Sequence, residues 1–122
     1  MREYEIHISI CQWLALALPP GSLVHHSPNE GRHHVAYRAK QKRLGVTAGW
    51  PDLEIFVPRS GWLEPDVWAP IFLEVKTAKG AISKNQRKCI DRLTLTGCYV
   101  YIVRSIDDAR TMLAELVRLH AH

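Results

Sequence analysis

Gly49-Trp50-Pro51-Asp52-Leu53-Glu54-Ile55-Phe56-Val57 is the stretch whose reading decides the fold. Turn residues open it, and the side chains that follow alternate: Leu53, Ile55 and Val57 point one way, Asp52, Glu54 and Phe56 the other. A period of two with one apolar face predicts a strand over 52–57. A second run, Ile71-Phe72-Leu73-Glu74-Val75-Lys76, opposes Ile71, Leu73 and Val75 to Phe72, Glu74 and Lys76 in the same way. Residues 58–70 between them carry proline, glycine, Trp62 and Trp68 and read as a long hairpin connection. Antiparallel pairing sets the start of one strand beside the end of the other. Asp52 is therefore expected to meet Glu74, with Lys76 one pleat further along the same face.

That trio points to hydrolysis assisted by a hard cation. Asp52, Glu74 and the backbone carbonyl of Val75 form an oxygen donor set suited to Mg²⁺ or Mn²⁺, completed by water and substrate phosphate. Such an ion lowers the pKa of water and neutralises charge at a scissile phosphate. Lys76 is then in position to orient the attacking water or stabilise developing charge. Taken singly, the fragments have ordinary readings: Glu-x-Lys in a strand is commonly a solvated face, and Pro-Asp a turn. Their conjunction on an otherwise apolar hairpin calls for a function. Ser83-Lys84-Asn85-Gln86 has a complete structural account as a capping box opening a helix. Glu5, Glu30 and Glu54 are further acids that could join a metal site, Glu54 lying on the Asp52 face but two residues deeper. His25, His26, His33 and His34 lack zinc-site spacing and read as phosphate contacts or solvated side chains.

Outward from the hairpin, residues 3–18 fit two patterns. Tyr4, Ile6, Ile8 and Ile10 alternate as in a strand, whereas Ile6, Ile10, Trp13, Leu14 and Ala17 fit one helical face. Length and the Pro19-Pro20-Gly21 stop favour a helix. Ser22–Val24 is expected to be a short strand, and His25–His34 a turn-rich stretch. Arg32, His33, His34, Arg38, Lys40, Lys42 and Arg43 follow as the densest basic segment. After the hairpin come a loop over 77–82, a helix from Ser83 to Gly97, a strand over 98–103 and a helix from Ser105 that buries Ala109, Met112, Leu113, Leu116 and Val117. At 122 residues the chain suits one domain over 1–122, and its net charge of +4 leans toward a polyanionic partner. Cys11, Cys89 and Cys98 have no metal or disulfide spacing and suit a reducing, cytoplasmic compartment. No apolar run reaches membrane-spanning length.

With those motifs in hand, the chain resembles the restriction-endonuclease-like, PD-(D/E)xK superfamily, whose signature is a Pro-Asp strand followed by Glu-x-Lys. It resembles more closely the small VRR-NUC domains, the virus-type replication-repair nucleases. The likeness runs from His26-Ser27-Pro28-Asn29-Glu30-Gly31 through Gly45, Gly49–Asp52 and Phe72–Lys76 to Ser83–Gln86 and the strand Tyr99–Val103. It implies an α/β fold with an αβββαβ core and a central mixed sheet flanked by helices. It also implies Mg²⁺ or Mn²⁺ dependence, Asp52, Glu74 and Lys76 as the catalytic set, and Gln86 as a site-lining residue. Glu5 matches the first-helix acid that many superfamily members use as a further metal ligand. Stand-alone members look similar to Holliday-junction resolvases, which implies a homodimer cutting branched DNA in phage or bacterial replication and repair. The alternatives are a nuclease for non-branched DNA and a non-catalytic DNA-binding module of the same fold. Lys40, Lys42, Arg43, Lys79, Ser83, Lys84 and Arg87 are expected to contact phosphates, being clustered on both sides of the motif. The 58–70 connection departs from a minimal hairpin and is expected to serve a dimer interface or DNA, or else to cover the core.

Overall fold

The computed structural model describes residues 1–27 and 35–120 of the chain. Its elements run α1 (Glu3–Ala17), β1 (Leu23–His26), α2 (Val35–Arg43), β2 (Leu53–Phe56), β3 (Ile71–Val75), α3 (Lys84–Leu95), β4 (Tyr99–Val103) and α4 (Ile106–Ala114). The strands lie in the order β1-β2-β3-β4, antiparallel except for the parallel β3–β4 pair. A parallel pair needs a crossover, and α3 supplies it. The expected αβββαβ core is therefore present, with α2 inserted and α4 appended.

Residues 3–17 settle as a helix because that conformation gathers Ile6, Ile10, Trp13, Leu14 and Ala17 into one buried stripe. Pro19 follows at once and cannot continue the helix. The stripe packs with Leu53, Ile55, Ile71, Leu73, Val75 and Val103 of the sheet and with Ala109 and Leu113 of α4 in one core. Phe72, Cys89 and Ile90 are buried outside that core, on the sheet face that α3 covers. Helices thus flank both faces. α3 begins at its capping box, with the Ser83 hydroxyl accepting from Gln86 N at 3.1 Å, and stops before Gly97, whose φ is +97°.

Three expectations need correction. The 35–43 segment, read only as basic, is the helix α2. His25 and His26, assigned to turns, belong to β1, an edge strand exposed along its whole length. α4 ends at Ala114, so Leu116 and Val117 lie beyond it, and Val117 bridges to Trp62 instead. The 58–70 connection covers the core. The Trp62 side chain is fully buried, and the indole N–H groups of Trp62 and Trp68 both donate to the Val57 carbonyl, at 3.0 and 2.6 Å. No helix among the described residues is long and apolar enough to cross a membrane.

Candidate active site

Among the described residues, the charged or amide side chains that the fold buries are Asp52, Glu74, Lys76 and Gln86. Three elements bring them together. Asp52 stands immediately before β2, and the register Leu53↔Leu73 sets it opposite Glu74. Its Oδ2 accepts from the Val75 amide at 2.7 Å, so the carboxylate is anchored across the hairpin by the backbone of the strand it faces. Lys76 follows β3 and is held there by its amide donating to the Val103 carbonyl at 3.0 Å. Its Nζ lies 3.6 Å from Glu74 Oε2.

Gln86 joins the helix to the site. Its Oε1 accepts from the Ser83 amide at 2.8 Å, completing the cap, while its Nε2 donates to Glu74 Oε2 at 2.9 Å. The cap and the contact with Glu74 use opposite ends of the same amide. Gly49 makes this approach possible: it has a φ of +78°, and a Cβ there would lie 2.4 Å from the Asn85 carbonyl carbon and oxygen. Only glycine lets the turn before Asp52 press so closely on the first turn of α3.

Glu74 is 1 % exposed, and burial pushes its carboxyl up to about 8. The neighbouring Asp52 charge pushes the same way, and Lys76 opposes it. Its Oε1 is buried with no hydrogen-bond partner. Two carboxylates forced together, one with an unsatisfied oxygen, make a place that either a proton or a hard cation can neutralise. The oxygen-rich donors fit Mg²⁺ or Mn²⁺. Among the described residues no group of three His, Cys, Asp or Glu side chains is placed to hold an ion. The remaining ligands must come from main-chain carbonyl, water or phosphate oxygens, as is usual for Mg²⁺.

The other expected acids lie elsewhere. Glu5 is exposed and its Oε1 accepts from the Arg2 amide at 3.2 Å, serving the start of α1. The α1 acid whose charge reaches Glu74 is Glu3. Glu3 leads the row that continues through Ile6, His7 and Ile10, and burial of Ile6 and Ile10 turns that row inward. Glu54 spends one oxygen on the Trp50 indole N–H at 2.9 Å and the other on His25 Nδ1 at 2.8 Å. Glu30, His33 and His34 lie outside the described residues. His26 Nδ1 sits 3.1 Å from the Asp52 carbonyl, and its ring meets His7 edge to face at 4.7 Å. Burial lowers the His7 pKa, helped by His26 and opposed by Asp52.

The expected phosphate contacts are exposed. Lys40, Lys42 and Arg43 are on α2, Lys79 is in the loop after β3, and Ser83, Lys84 and Arg87 are at the start of α3. Arg87 also pairs loosely with Asp91 at 4.0 Å. Arg104 was missed: its Nη1 donates to the Thr77 and Gly80 carbonyls at 2.6 and 2.8 Å, tying down the loop that carries Lys79. A single arginine after a strand has no periodicity that reveals such a role.

Residues 3–107 match the VRR-NUC domain family model. A solved structure described as a VRR_NUC domain protein superposes with a TM-score of 0.71 at 25% identity, covering 93% of this chain and 86% of that one. No curated protein matches the chain.

Proposed function

The chain belongs to the VRR-NUC family of nuclease-type, DNA-processing domains, and from that premise we propose that it is a Mg²⁺- or Mn²⁺-dependent endonuclease hydrolysing DNA phosphodiester bonds. The observation that carries this reading is the selective burial of Asp52, Glu74, Lys76 and Gln86 in one contiguous group. Burying charges is costly, and an apolar hairpin of the same volume would fold at least as well.

Asp52 and Glu74, with the Val75 carbonyl, would hold the cation, and Glu3 adds negative potential from α1. When bound, the ion supplies Lewis acidity at the scissile phosphate and acidifies water. Gln86 fixes the Glu74 carboxylate so that its free Oε1 keeps one direction. The Val75 amide does the same for Asp52. Lys76 orients the attacking water or meets the charge that develops on the phosphate. Glu74 must give up its proton for a cation to bind, which links loading to pH.

Within this reading the preferred substrate is branched DNA cut by a homodimer. Two observations favour a second copy: Tyr4 and Ile8 are exposed along α1, and Leu23 and Val24 are exposed on the unpaired edge β1. The free thiols of Cys11, Cys89 and Cys98 suit the cytoplasm of a bacterial or phage-infected cell. The test is cleavage of labelled four-way junction, splayed duplex and linear duplex with Mg²⁺, Mn²⁺ or EDTA, alongside Glu74→Ala and Lys76→Ala. Metal-dependent cutting of the junction, lost in both variants, is expected. Cutting of linear DNA alone would remove the junction preference. Binding without cutting under every metal would leave a non-catalytic module.

A further inference from the structure

We propose that α2 is a docking helix for duplex DNA that enters the major groove and contacts phosphates on both walls. The inference rests on the DNA-processing reading above but not on the catalytic group. α2 carries Arg38, Lys40, Lys42 and Arg43 and no acid. Four cations with no acid in nine residues make it the densest run of uncompensated positive charge among the described helices.

Described side chains from Ala36 to Arg43 are exposed apart from half-buried Gln41, and none belongs to the core. A helix this short is marginal in water on propensity alone, and no described side chain of α2 gains support from the hydrophobic core. None of the four cations is paired with an acid of the described residues.

The distribution of charge indicates how the partner is engaged. At 100° per residue, Gln41, the one half-buried described side chain of α2, shares a side with Tyr37. Arg38 and Lys42 fall on one flank of the opposite side and Lys40 on the other, with Ala39 and Arg43 between them. Cations on both flanks suit a helix between two phosphate walls better than one resting on a single strand. A helix is about 10–12 Å across and the B-form major groove about 12 Å wide. The leading face offers the small side chain of Ala39, which lets the helix axis sit deep between the walls, and Arg43 beside it. Five residues separate Arg43 from Gly49, which packs on α3. That holds the end of α2 within about 20 Å of the turn before Asp52.

The experiment is binding of a short labelled duplex in EDTA, across a salt series, by wild type and by the combined Arg38→Gln, Lys40→Gln, Lys42→Gln, Arg43→Gln variant. The slope of log K against log salt is expected to fall in magnitude by roughly 3 to 4, and binding at 50 mM salt to weaken by at least about tenfold. Ala39→Glu, which keeps helix propensity and sets a carboxylate on the leading face, is expected to weaken binding as well. An unchanged slope in the combined variant, or wild-type affinity for Ala39→Glu, overturns the proposal. So does equal affinity for duplex RNA, whose deep, narrow major groove does not admit a helix. Failure of the nuclease reading is seen separately, as absence of metal-dependent cutting by wild type.

Discussion

At the scale of single residues, Glu74 and its three neighbours set the chemistry and its dependence on pH. The Glu74 carboxyl is raised from an ordinary 4.5 to about 8, so the folded protein keeps a proton there that the unfolded chain has lost. Stability from this group is full below about pH 4.5 and declines as pH rises through about 8. Melting temperatures in EDTA are expected to fall over that window, and Glu74→Gln to flatten the fall. A wild-type slope identical to that of Glu74→Gln would contradict the assignment. Because a cation displaces the proton, Mn²⁺ is expected to raise the melting temperature more at pH 8.5 than at pH 6, and to do little for Glu74→Gln. Gln86 allows its two roles to be separated. Gln86→Glu retains the acceptor that caps α3 at Ser83 but loses the donor to Glu74. Cleavage is expected to drop about 10- to 100-fold, with the melting temperature at pH 5 little changed.

At the scale of elements, the site depends on how closely the turn before β2 approaches the start of α3. A methyl group at Gly49 meets the Asn85 backbone at 2.4 Å and must also adopt a φ of +78°. Gly49→Ala is expected to cost about 1–3 kcal/mol in denaturant unfolding and to lower cleavage by displacing Gln86. Wild-type stability in that variant would mean the contact relaxes freely. Arg104 acts on the adjoining loop through the Thr77 and Gly80 carbonyls. Arg104→Gln is expected to speed amide exchange over 77–80, measured by mass spectrometry, while the strands stay protected.

At the scale of the whole molecule, α2 carries four cations and no acid, whereas Tyr4 and Ile8 on α1 and Leu23 and Val24 on β1 expose apolar area. If the latter surface joins two copies, sedimentation is expected to give twice 13.9 kDa for wild type and a smaller species for Ile8→Glu combined with Val24→Glu. A wild-type monomer at all concentrations would refute that use of the surface. It would also remove the geometric basis for paired cuts in a four-way junction.

The sequence by itself determined the sheet and the residues gathered at its mouth. Period-two alternation in 52–57 and 71–76 has one register that buries both apolar faces, and that register places Asp52 beside Glu74. The capping box set the start of α3 with the same local certainty. Other features lay beyond local pattern. α2 has no apolar stripe, so periodicity had nothing to detect. That the charge of Glu3 reaches Glu74 depends on how α1 rotates over the core, which the burial of Ile6 and Ile10 decides. The double use of Gln86 requires α3 to dock on the sheet at one depth, a consequence of the glycine contact at Asn85. Which of the roles open to the 58–70 connection Trp62 and Trp68 serve depends on the chain closing over Val57, whose carbonyl accepts from both indoles. Side-chain order along a strand is encoded locally. Which face of a helix meets it, and how closely, is decided only when the layers pack.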